Sequence, residues 1–82
     1  MEQAVELDEK INGVLADVLG VPLAVITDDL AMRDVGAWDS LKHMELILSL
    51  EETFGLQLSF DEIVNMQNVG NIRQTLERRA KS

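Results

Sequence analysis

The chain has 82 residues and no cysteine, which sets it as one small domain over 1–82 and excludes disulfides, thiolate metal sites and a cysteine nucleophile. Fifteen acidic residues against seven basic ones give a net charge of −8, a balance that disfavours nucleic acid and anionic membranes and favours basic partners. The charge is uneven: residues 1–62 hold 14 acids and 3 bases, whereas residues 63–82 hold 1 acid and 4 bases. The acidic part is therefore the expected docking surface. The basic tail of Arg73, Arg78, Arg79 and Lys81 reads as a solvated helix end matched to its own dipole.

The N-terminal stretch Met1-Glu2-Gln3-Ala4-Val5-Glu6 is acidic and lacks the apolar core of a secretion signal. No apolar run approaches transmembrane length, so a cytoplasmic monomer without membrane insertion is expected. A first amphipathic helix is predicted over residues 3–19, because Leu7, Ile11, Val14, Leu15, Val18 and Leu19 recur at helical spacing. Gly20 and Pro22 end it.

From Gly20 to Trp38 the chain shows little periodicity and reads as a long connection, a kind often tied to function. Thr27 before Asp28 and Asp29 suits the cap of a short helical turn. Leu23, Val25, Ile26, Leu30 and Val35 are expected to tuck the connection onto the bundle.

A second helix is predicted from Asp39 to about Phe54, with Asp39 as N-cap and Gly55 as terminator. Ser59 with Glu62 reads as a capping box for a short third helix over about 60–66. Asn68 caps a fourth, with Val69, Ile72 and Leu76 as its inner stripe, and Gly70 weakens its first turn. Strand signals are nearly absent. The expected fold is all-α, a four-helix bundle with a long first connection and a short third helix.

The second helix carries two apolar stripes. Leu46, Ile47, Leu50 and Phe54 form a core face, while Leu41, Met44 and Leu48 lie on another arc flanked by Glu45 and Glu52, with Glu51 nearer Ser40. The second stripe is either buried in a central helix or offered to a partner, and the acids around it favour docking. Ser40 falls in the first turn, where unpaired N–H groups and the helix dipole would stabilise an esterified phosphate, or where a serine is simply a polar helix start. As a nucleophile Ser40 needs a base, and the only histidine, His43, lies on the core side as a half-buried packing residue. The group Asp28, Asp29 and Asp34 lacks EF-hand spacing and reads as a solvated acidic loop.

Asp39-Ser40-Leu41, preceded by Asp34-Val35-Gly36 and followed by Glu45-Leu46, resembles the acyl carrier protein family. Leu50-Glu51-Glu52-Thr53-Phe54-Gly55-Leu56 is similar to that family's acidic end of helix two, and the likeness continues from Ile63 through Val69 to Ile72. The resemblance implies a carrier and not an enzyme. It further implies a covalent 4′-phosphopantetheine on Ser40, whose thiol holds acyl groups as thioesters, with Asp39 positioning the phosphopantetheinyl transferase and its metal. Leu41, Met44, Glu45, Leu48, Glu51 and Glu52 are then the expected contacts for partner enzymes that load, condense or transfer acyl groups through basic docking surfaces. Trp38 and Lys42 depart from the usual family pattern and point to a specialised, freestanding member serving a dedicated lipid, polyketide or aminoacyl pathway. The reading from another class is a helical adaptor that docks through the same stripe and carries no prosthetic group.

Overall fold

The computed structural model describes the backbone of residues 2–81 and the side chains of residues 6–80. The side chains of the acidic N-terminal stretch before Glu6 and of Lys81 lie outside the described residues. Helix α1 spans Glu2–Leu19, α2 spans Ser40–Phe54, α3 spans Phe60–Asn65 and α4 spans Val69–Lys81. Among the described residues the only extended pairing is an isolated bridge between Ala31 and Asn68.

The helix ends form by the predicted caps. The Asp39 carboxylate accepts the Lys42 N–H at 2.8 Å, which satisfies a donor that helical geometry leaves without a partner. Gly55 closes α2 in the left-handed region (φ 64°), where a side chain would be strained, and its N–H bonds the Glu51 carbonyl. Ser59 and Glu62 form the reciprocal capping box of α3, and the Asn68 side chain accepts the Asn71 N–H at 2.7 Å at the start of α4.

The core is built from one stripe of each long helix. Ile11, Leu15 and Leu19 of α1 meet Leu46, Ile47 and Leu50 of α2 and Val69, Ile72 and Leu76 of α4, all buried. Met66, between α3 and α4, is fully covered. Phe54 is only half-buried against this core.

The long first connection is ordered by backbone bonds to the start of α4. The Met32 N–H donates to Gln67 O at 2.8 Å, Val69 N–H to Leu30 O at 2.9 Å, and Gly70 N–H to Asp28 O at 3.1 Å. A Cβ on Gly70 would stand 3.3 Å from that same Asp28 oxygen, so glycine here permits the close approach rather than merely weakening the helix.

Three expectations change. Thr27 caps no helix: its carbonyl accepts the Leu30 N–H at 3.0 Å in a turn, and single 3-10 turns form instead at Leu23–Val25 and Met32–Asp34. Of the apolar residues expected to tuck the connection down, Ile26 is buried and Leu30 and Val35 are partly covered, but Leu23 and Val25 stand exposed. The basic tail is not simply solvated. Arg73 bridges Asp8 of α1 (3.3 Å) and Asp28 of the connection, and Arg79 binds Glu62 at 2.6 Å and the Gln57 carbonyl at 2.7 Å, fastening α4 to α3.

Candidate functional site

Ser40 is the first residue of α2 and is solvent-exposed. Asp39 before it engages two backbone donors of the first turn: its carboxylate takes the Lys42 N–H and its carbonyl takes the His43 N–H, both at 2.8 Å. The Ser40 and Leu41 N–H groups precede the first intrahelical acceptor, so they emerge at the positive end of the helix beside the Ser40 hydroxyl. An anionic phosphoester on that oxygen meets dipole and donors of the right sign. The hydroxyl is open to solvent, and the chain has no thiol to compete with one delivered there.

The outer stripe of α2 is open. Leu41 is 73 % exposed, Leu48 57 % and Met44 46 %, so this stripe is not buried in a central helix. Two further apolar residues stand exposed, Phe60 (78 %) and Val64 (45 %) of α3, and neither is evident as a surface residue from the sequence. Their signal in the sequence is the i, i+4 spacing of two apolar residues on a helix of six, too short to bury more than one face.

The acids around the stripe are not equivalent. Glu45 pairs with Lys42 at 3.1 Å. One oxygen of the half-buried Glu51 accepts the Leu58 N–H at 2.8 Å, so it holds the segment after α2 in place. Asp39 is occupied as the cap. Glu52 is exposed and makes no ion pair among the described residues. Of these acids only Glu45 is paired with a cation among the described residues, so the surface beside Ser40 keeps a net negative charge around its exposed apolar residues.

His43 is 7 % exposed, and both of its ring nitrogens have partners away from Ser40. Nδ1 accepts the indole N–H of Trp38 at 3.0 Å, and Nε2 lies 2.9 Å from the Ile63 carbonyl. The imidazole is therefore no base for the Ser40 hydroxyl, because a general base needs hydrogen-bond reach to the proton it takes. Trp38, in the sequence a departure from a pattern, is one of the most buried side chains of the molecule. In the connection, Asp28 is held by Arg73 and Asp34 accepts the Ala31 N–H at 3.0 Å, and no group of three or more metal-ligating side chains occurs among the described residues. No described helix is long and apolar enough to cross a membrane.

Comparison with known proteins bears on this arrangement. A family model described as the phosphopantetheine attachment site matches residues 9–76. An acyl carrier protein from Saccharopolyspora erythraea is 32 % identical over 69 residues, covering 84 % of this chain and 73 % of that protein. A solved structure from Mycobacterium tuberculosis, assigned as an acyl carrier protein, superposes with a TM-score of 0.79 at 29 % identity, covering 88 % of this chain and 96 % of the other.

Proposed function

The chain belongs to the phosphopantetheine-attachment family of acyl carrier proteins, and on that premise we propose that Ser40 is the attachment point and that the outer face of α2 presents the arm to partner enzymes. The protein is a carrier and not a catalyst, with covalent 4′-phosphopantetheine as its prosthetic group. When bound, that group supplies the thiol this chain lacks and holds acyl groups as thioesters. The observation that carries the assignment is the exposed Ser40 hydroxyl in the first turn of α2, directly after an Asp39 cap that fixes the turn.

The remaining residues have separable roles. Asp39 holds the helix start and offers its free carboxylate oxygen to the phosphopantetheinyl transferase and the metal that enzyme uses. Leu41, Met44 and Leu48 supply apolar contact, with Met44 able to adapt its shape to more than one partner. Phe60 and Val64 extend that contact onto α3. Glu52, and Glu45 once a partner cation competes with Lys42, meet basic groups on the enzymes that load, condense or transfer the acyl group. Glu51 contributes through its second oxygen only. A face of this kind, modest and partly charged, suits fast release from each partner.

Co-expression with a broad-specificity phosphopantetheinyl transferase, followed by intact-mass measurement, tests the assignment. One arm is expected on the wild type and none on Ser40→Ala. No mass gain on the wild type, or a gain that survives Ser40→Ala, contradicts it and leaves the adaptor reading.

A further inference from the structure

Two residues flank the Ser40 turn and join hands beneath it. Trp38 lies two positions before Ser40 and is 2 % exposed; His43 lies three positions after and is 7 % exposed. The indole N–H donates to His43 Nδ1 at 3.0 Å, and the two rings stack with centroids 6.1 Å apart. An indole nitrogen can only donate, so Nδ1 is the acceptor and the neutral imidazole carries its proton on Nε2. Nε2 lies 2.9 Å from the Ile63 carbonyl, which can only accept, and the Nε2–H donates to it. The tautomer is thus fixed from both sides. The chain of bonds runs from the connection, through the first turn of α2, to the last turn of α3.

Among the described residues, the His43–Ile63 bond is the one hydrogen bond that links α2 to α3. Asp39 and Ser40 sit between the first two members of this relay in sequence. Its third member belongs to a helix of six residues, too short to hold itself in water. Ile63 O also accepts the Met66 N–H at 3.3 Å, so the carbonyl does not need the imidazole for its own satisfaction. An apolar pair at positions 38 and 43 would fill the same core without any buried polar group. A buried polar chain with every member paired fixes one arrangement where apolar packing alone allows several.

We propose that the Trp38–His43–Ile63 relay is a positioning device for the carrier's modification, holding the Ser40 turn and the exposed Phe60/Val64 face of α3 in one fixed relation for a transferase that grips both helices. The inference rests on Ser40 being the attachment point. Trp38 and His43 touch neither the arm nor the transferase; they act through the elements they join.

The test uses the full chain, a phosphopantetheinyl transferase and coenzyme A, with kcat, carrier KM and thermal unfolding measured for each variant. Trp38→Phe and His43→Leu each strand a buried partner, and each is expected to lower the unfolding temperature and raise KM about tenfold, the scale of one unpaired buried polar group. The double variant Trp38→Phe/His43→Leu removes both polar ends. Its unfolding temperature is expected to recover toward wild type, because matched removal is nearly neutral. Its KM is expected to remain about tenfold high with kcat close to wild type, the split that marks lost binding rather than lost chemistry. His43→Gln, which keeps an amide donor for Ile63 O, is expected to restore part of KM. Independently, nitrogen NMR of the wild type is expected to show the Nε2–H tautomer of His43. A double variant with wild-type KM, or an Nδ1–H tautomer, overturns the proposal. A wild type that takes up no arm overturns the Ser40 assignment instead, while the tautomer measurement still judges the bond geometry.

Discussion

Helix α2 has two apolar faces with similar residues and opposite fates. Leu46, Ile47 and Leu50 are at most 1 % exposed and meet α1 and α4, whereas Leu41, Met44 and Leu48 are about as apolar and stand 46–73 % exposed. Hydrophobicity alone does not separate them. The inner face is what the bundle needs in order to fold; the outer face is left uncovered by the described residues and adjoins Ser40. A small domain seldom tolerates such a stripe without a use for it. The comparison teaches that one side of the helix serves stability while the other, on the function proposed above, serves recognition, and that each side should respond to mutation in its own observable.

The largest effect is expected on the inner face. Leu50→Ala should lower stability by about 2–5 kcal/mol in urea unfolding, through lost burial and the cavity left behind. The fraction that remains folded should still be loaded at Ser40. Next is the outer face: Met44→Glu should raise the KM for the transferase about tenfold, the effect of losing one central apolar contact. Its stability should stay within about 0.5 kcal/mol of wild type, as for surface changes generally. If Met44→Glu unfolds the protein, or leaves every partner unaffected, the division between the two faces fails.

The C-terminal end of α2 gives a smaller and sharper contrast. Gly55→Ala places a side chain in the left-handed region and should cost about 1 kcal/mol by urea unfolding, with no change in loading. It should behave as an inner-face change although it lies at the surface.

The smallest effect concerns the anchoring of α3. The Ser59 N–H, with Arg79 beside it, holds the Glu62 carboxyl below its ordinary value against the opposing influence of partial burial. A carboxylate lowered in the folded state contributes stability above its unfolded pKa, and that contribution is lost as pH falls through the lowered folded value. Glu62→Gln should therefore be slightly less stable than wild type at neutral pH, with the difference closing in acid below the usual carboxylate range. A difference that grows in acid would contradict the assignment.

Much of this is legible in the sequence. The four helices, the Asp39 cap, the Ser59/Glu62 box, the Asn68 cap and the Gly55 stop all depend on residues within four positions of one another, and local rules reach that far. The two stripes of α2 were also visible as a pattern, but not which one the fold would cover. What escaped were contacts between distant parts of the chain. His43 and Ile63 are 20 positions apart, and Arg79 and Gln57 are 22 apart. Trp38 read as an oddity because its role depends on a partner across the loop–helix junction. Lys42 with Glu45 and Glu51 with Leu58 changed the meaning of two acids whose surface position alone suggested free charge. Leu23 and Val25 looked like residues that tuck a loop down, yet only the tertiary trace shows that Ile26 takes that role.

The most direct test of the central claim lies in the sequence around the attachment point. Trypsin cuts after Arg33 and Lys42, releasing residues 34–42, a peptide in which Ser40 carries the only hydroxyl. After incubation of the protein with a phosphopantetheinyl transferase and coenzyme A, mass spectrometry of that peptide should show a single phosphopantetheine, with fragmentation placing it on Ser40. An unmodified 34–42 peptide, or the arm on any other peptide, would contradict the account.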